Sequence, residues 1–386
     1  MKRKLALIMS LAIMAASMTA CGDSSSNNGT TTTAQTAASS AAATTVAETT
    51  AAATTVAETT AAASTASATT AVTTLASTAA TAATTLAAST SAAASSSAAE
   101  EEEEEENYNT GDAKLDNVRN QDNIGEKELL VLSFGTSFND SRRLTIGAIE
   151  NALEKAYSDY SVRRGFTANI IIDHVNKRDG ILIDDVDAAL KRAMDNKVKT
   201  LVVQPTHLMN GLEYNDLLKQ VGDKADAFEK VAFGKPLLTS DDDFKRVEQA
   251  IVDWTKEYDD GETAICFMGH GTEAESNAVY QKMQDLLTKD GHKNYFVGTV
   301  EAAPSVDDVL ALVKKGNYKR VVLEPLMVVA GDHANNDMAG DEEDSWKSVF
   351  EKAGYEVKCL IRGLGENEAI QKIYIDHAKE AIESLK

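Results

Sequence analysis

Residues 129–137 read LLVLSFGTS and residues 263–272 read TAICFMGHGT, and these two stretches decide the fold. Each is a short, unbroken apolar run ending in a glycine turn. A strand without polar alternation is covered on both faces, as in a parallel sheet. Behind the first run, Ile146, Ile149, Leu153 and Ala156 keep the three-to-four spacing of an amphipathic helix. The same reading predicts further strands at residues 168–172, 200–204, 231–233, 295–298, 320–324 and 356–361. A helix is expected over 304–315, with Val306, Val309, Leu310 and Val313 on one face. Strands alternating with helices give an α/β fold of parallel sheets with helices on both faces.

The plan is written twice. SFGT after the first strand echoes GHGT at Gly269–Thr272, and VVQP at Val202–Pro205 echoes VLEP at Val322–Pro325. Two similar flavodoxin-like or Rossmann-like domains are therefore expected, at 124–258 and 259–386, with a cleft between them. Ligands in such sheets bind beyond the carboxyl ends of the strands.

The first third of the 386 residues is of another kind. Lys2, Arg3 and Lys4 precede an apolar stretch too short for a membrane span, which ends in Met18-Thr19-Ala20-Cys21. Residues 1–20 read as a lipoprotein signal peptide, with Cys21 as the lipidated terminus of an extracytoplasmic, membrane-anchored protein. Residues 21–123 are expected to be a disordered linker. It is rich in Ala, Thr and Ser, repeats AAATTVAETT in tandem, and includes the run Glu100–Glu106. As a flexible coil it would hold the folded part roughly 50 Å from the membrane. Cys266 and Cys359, each inside an apolar run, read as buried thiols.

The formal net charge is -22. Nucleic-acid binding, which needs clustered Lys and Arg, is disfavoured. No Walker A, GxGxxG or GxSxG pattern is present, so the chemistry is expected to need no nucleotide.

The strand-end rule sorts the histidines. His174, His207, His270 and His333 fall at the ligand edge, and His292 falls at the opposite one. His377 lies on an apolar helical stripe and reads as a packing residue. His270, Glu301 and His333 follow three different strands of the second half. Imidazole and carboxylate together suit a divalent Co, Ni, Fe or Zn ion. Asp332, Asp337 and Asp341 stand near enough to orient His333, or merely to cap helices.

At these residues the chain resembles the anaerobic-type sirohydrochlorin cobalt chelatases, class II tetrapyrrole chelatases related in fold to ferrochelatase. The marks are SFGTS (133–137), RRGFT (163–167), KRDG (177–180), QPTH (204–207) and MGHGT (268–272). VE-x-x-P (300–304) and the long VAGDHANNDMAGDEEDSWK (329–347) complete them. The resemblance implies insertion of a divalent metal, Co²⁺ first and Fe²⁺ or Ni²⁺ next, into sirohydrochlorin or a related tetrapyrrole. It places His270, Glu301 and His333 as metal ligands, and His270 also as the proton acceptor. Arg142 and Arg143 are candidate donors to the substrate's carboxylates, and His207 is a candidate substrate contact. After MGHGT the family pattern often continues with further histidines, where this chain has Glu273, Ala274 and Glu275. A metal- or tetrapyrrole-binding lipoprotein serving a transporter is the competing reading. Homo-oligomers are compatible with either.

Overall fold

The computed structural model describes residues 110–386. The signal-peptide and lipidation readings, Cys21 included, and the linker reading up to residue 109 lie outside the described residues.

Among the described residues, eight parallel strands form two four-stranded sheets. In the first, β1 (Lys127–Ser133), β2 (Ser161–Phe166), β3 (Thr200–Pro205) and β4 (Lys230–Phe233) run in the order β2-β1-β3-β4. In the second, β5 (Thr263–Gly269), β6 (Tyr295–Thr299), β7 (Arg320–Pro325) and β8 (Glu356–Cys359) repeat it as β6-β5-β7-β8. The duplication extends to register. Pro205 lies opposite Leu132 as Pro325 lies opposite Met268. Proline, lacking an N–H, ends each strand at the point where the chain turns into the ligand edge.

The helices are α1 (Asn139–Leu144), α2 (Ile146–Ala156), α3 (Asn169–Asp179), α4 (Val186–Asp195), α5 (Leu212–Gly222) and α6 (Asp241–Thr255) in the first half. α7 (Ala278–Lys289), α8 (Val306–Val313), α9 (Trp346–Lys352) and α10 (Glu368–Glu383) follow in the second. The apolar run 304–315 is trimmed to α8 because Ser305 and Asp308 form a reciprocal cap at its start. No helix among the described residues is long and apolar enough to cross a membrane.

Strand pleating divides the core. Leu129 and Val131 face one layer, and Leu130 and Leu132 the other. In the second sheet Ile265 and Phe267 join the layer of Leu129, while Ala264, Cys266 and Met268 face outward into a separate cluster. The inner layer is thus shared by both sheets. Each side chain in it is fully or nearly fully buried, contributing roughly 1.5–3 kcal/mol. Helix α10 packs on α2 and β3 of the first half, and the Tyr374 hydroxyl donates to the Thr206 carbonyl at 2.8 Å. A division at 258/259 therefore follows the sheets but not the last helix, and the two sheets belong to one compact unit.

Two expectations are corrected. The segment 168–172 is not a strand. Asn169–Asp179 is helical, with Ile171 and Ile172 packed against Ile146 and Phe166. The strand is Ser161–Phe166, whose Arg163 and Arg164 hid it. Both side chains are fully buried, Arg163 on Glu128 at 2.6 Å and Arg164 on Glu150 at 2.7 Å. Paired charges let polar residues occupy a core strand. His174 consequently sits on α3, not at a strand end. The linker also stops earlier than 123, because residues 110–123 form a strap on the first half. Asp116 in the strap binds Arg142 at 2.7 Å and Arg164 at 2.6 Å, and Arg119 inserts beside Glu150 at 3.3 Å.

Candidate metal centre and cleft

Turns at the carboxyl ends of five strands, β1, β3, β5, β6 and β7, build the centre and its cavity. Gly271, in the turn after β5, has φ +91°, which only glycine adopts without strain. A Cβ there would meet the Ala302 nitrogen at 2.8 Å, so glycine also lets the β5 and β6 turns touch. They are joined by the Glu301 N–H, which donates to the His270 carbonyl at 2.8 Å. Asn277 clamps both, accepting from Thr272 N–H at 3.1 Å and donating to the Ala303 carbonyl at 2.7 Å. His270 and Glu301 are thereby held side by side, both exposed.

The His270 Nδ1 lies 2.8 Å from the Gly271 carbonyl. A carbonyl only accepts, so Nδ1 carries a hydrogen, and in the neutral ring the lone pair is on Nε2. His333 opens a single π-turn, Ala334–Met338, at the end of the long loop after β7. Its Nδ1 is 2.7 Å from Asp337, one turn along. That carboxylate fixes the orientation of the ring through Nδ1. The His270 and His333 rings are 4.7 Å apart between centroids and nearly perpendicular, at 88°. Metal–imidazole bonds of about 2.1 Å bring two nitrogens to within about 4 Å, so one ion can join the pair.

Among the described residues, the one set of three donors whose ligand atoms lie within 4.8 Å of each other is Asp332, His333 and Asp337. Of the three aspartates near His333, Asp337 orients the ring and Asp332 stands among the donors. Asp341 instead pairs with Lys347 at 2.6 Å.

Beside this centre a cavity of about 330 Å³ opens between the two sheets. Its walls include Ser133 at the end of β1 and Phe134 after it, His207 after β3, His270 after β5 and Met327 after β7. The wall contains His270 but neither Glu301 nor His333, so His270 joins the cavity to the His333 loop. No Lys or Arg lines it.

The arginines expected to meet a substrate are corrected here. Arg142 is fully buried, bound to Asp116 and donating to the Thr136 carbonyl at 3.2 Å, so it supports the loop from behind. Arg143 is paired with Asp140 at 3.0 Å on α1. Neither lines the cavity. His207 does, with 8 % of its side chain exposed and neither ring nitrogen hydrogen-bonded. His292 is on the opposite edge against Tyr295, and His377 is buried on Asp243 at 3.0 Å, as expected of both. The reading of the sequence missed Glu213 on α5, whose carboxylate reaches 3.8 Å from His207. A carboxylate in the helix just after QPTH was the available signal.

The cobalt chelatase (CbiK) family profile matches residues 127–383. The chain belongs to the cobalt chelatase family. It is a metal chelatase. It is similar to the sirohydrochlorin cobaltochelatase of Salmonella typhimurium, at 36% identity over 257 residues, 67% of this chain and 97% of that protein. It is also similar to sirohydrochlorin cobaltochelatase CbiKC of Nitratidesulfovibrio vulgaris, at 29% over 282 residues, 71% of this chain and 97% of that protein. Among solved structures, the Bacillus subtilis subspecies spizizenii sirohydrochlorin chelatase SirB with cobalt aligns to 67% of this chain and 97% of that one. The identity is 12% and the TM-score 0.47.

The chelatase's His207 carries a stability signature of its own. Burial lowers its pKa from the ordinary value to about 4. The unfolded chain takes up the proton near pH 6.5 and the folded one only near 4, so stability is full above 6.5 and falls as the pH drops through that window. The whole window corresponds to about 3 kcal/mol. Urea midpoints at pH 7 and pH 4.5 should fall further for the wild type than for His207→Leu. Equal losses would contradict this assignment.

Proposed function

We propose that this chelatase inserts Co²⁺ into sirohydrochlorin, with His270, Glu301 and His333 as the ligands that receive the ion. The observation that carries the reading is the pair of perpendicular imidazoles at 4.7 Å, one of them in the wall of the cavity. Two imidazoles and a carboxylate hold a divalent ion loosely enough to leave positions for pyrrole nitrogens. The cavity lies at the low end of ligand-pocket sizes, roughly 300–1,000 Å³. It takes part of a macrocycle's face and leaves the carboxylate-bearing rim in water, which accords with the absence of Lys and Arg from its wall.

Insertion breaks two pyrrole N–H bonds and forms metal–nitrogen bonds from the freed lone pairs. In the neutral ring with Nδ1–H on the Gly271 carbonyl, His270 Nε2 takes a proton as the ion passes to the macrocycle. No redox change and no nucleotide is involved. Incubating the purified protein with sirohydrochlorin and Co²⁺, Fe²⁺ or Ni²⁺, without ATP, tests this. Fastest metallation with Co²⁺ is expected, and no metallation with any of the three would overturn the assignment.

The anchored location is proposed from Met18-Thr19-Ala20-Cys21 alone. Cys21→Ala should shift the protein from the membrane to the soluble fraction on cell fractionation. Retention at the membrane would refute attachment through Cys21.

A further inference from the structure

We propose that His207, on the sheet opposite His270, is the second proton acceptor of metal insertion, with Glu213 balancing the charge it gains. The inference rests on the chelatase reading above and adds to it the fate of the second proton. One imidazole takes one proton, and a tetrapyrrole gives up two. His270 bounds the cavity from the second sheet. On the first sheet, the basic group in the cavity wall is His207.

Its setting is that of a base kept empty. The backbone is pinned, since the His207 carbonyl accepts the Leu237 N–H at 2.9 Å. The ring packs edge-on against Tyr214 at 6.4 Å. Yet both ring nitrogens are buried without a hydrogen bond. A buried polar group left unpaired costs about 1–3 kcal/mol, so the vacancy calls for a partner that arrives with the substrate.

Glu213 supplies the other half. Its Oε2 is 3.8 Å from Nε2, and its side chain lines the cavity while staying 57 % exposed. Partial desolvation and the neighbouring Asp216 raise the Glu213 carboxyl above its ordinary range, as expected of a carboxylate lacking a cation. A proton on His207 provides that cation. Electrons stay on the pyrrole nitrogen, which binds the metal, and the proton moves to the vacant imidazole nitrogen. The imidazolium pairs with Glu213 and releases the proton through the exposed side. Low basicity in the buried ring makes release easy and uptake costly, and the Glu213 carboxylate beside it offsets that cost.

His207→Gln removes the base while keeping a polar side chain, and His207→Phe keeps the ring against Tyr214. Both should lower kcat for Co²⁺ insertion about 100-fold. The Co²⁺ dissociation constant should stay within about twofold, since the metal ligands do not change, and any rise in KM for sirohydrochlorin should be small beside the fall in kcat. Thermal midpoints select whichever variant is folded. Added imidazole should restore part of the kcat of His207→Ala. Wild-type kcat in a folded His207→Gln or His207→Phe would overturn the proton role alone, as would a rise confined to KM. Absence of turnover in the wild type would overturn the chelatase reading beneath it.

Discussion

His270→Ala should lose Co²⁺ insertion by at least the 10²–10⁴-fold attached to a general base, because the same imidazole is both ligand and acceptor. His270 is exposed, with a ring hydrogen bond to the Gly271 carbonyl and its ring against that of His333, so the thermal midpoint should barely move. His333→Ala and Glu301→Ala should instead weaken Co²⁺ binding while retaining measurable turnover at high metal, since each leaves His270 in place. His292, on the far edge of the second sheet, is the control, and its replacement should leave turnover intact. Initial rates across a Co²⁺ series separate these outcomes. Full turnover in His270→Ala would remove the residue from the chemistry.

The second large effect is on stability. Asp116→Ala should cost about 3–5 kcal/mol, the range for stripping the partner from a buried charge. Its carboxylate is 4% exposed and holds two fully buried guanidiniums, Arg142 and Arg164. Burial alone would raise the Asp116 pKa, but the bonds to Arg164 and Arg142 outweigh it and hold the carboxyl below its ordinary range. Arg164 keeps Glu150 in direct contact, whereas Arg142 keeps Asn139 and backbone carbonyls as hydrogen-bond partners, with the Asp179 charge farther off. Those carbonyls, on Thr136 and Ser137, belong to the turn that continues into the cavity wall. Activity should therefore fall with stability. Urea unfolding measures the loss, and a change below about 1 kcal/mol would show that the strap is dispensable. A fragment starting at Ile124 should show the same weakness, which makes a start near Thr110 the better choice.

What could be read from the residues divides along physical lines. Strands whose side chains are apolar on both faces, such as β1, β5 and β7, were legible because burial leaves no alternation to misread. β2 was not, since Arg163 and Arg164 are solvated residues in any sequence scale until Glu128, Glu150 and Asp116 are found beside them. Those partners are 14 to 48 residues away in sequence. The strap was missed for the same reason, since its three-residue turn Ala113–Leu115 has no apolar pattern and is fastened by charge. Placing His207, His270 and His333 needed only the strand-end rule. That Arg142 faces inward, or that Glu213 meets His207, depends on side-chain direction and packing, which strand periodicity does not carry. Gly271 was visible as a motif letter, while its reason, the touching β5 and β6 turns, is tertiary.

The most direct test of the central claim is anomalous diffraction at the cobalt edge from crystals of residues 110–386 soaked in Co²⁺. One strong peak is expected between His270 and His333, about 2.1 Å from the Nε2 atom of each, with a Glu301 oxygen in the same shell. A peak held by Asp332, His333 and Asp337 with His270 unligated, or no peak near His270, would contradict it.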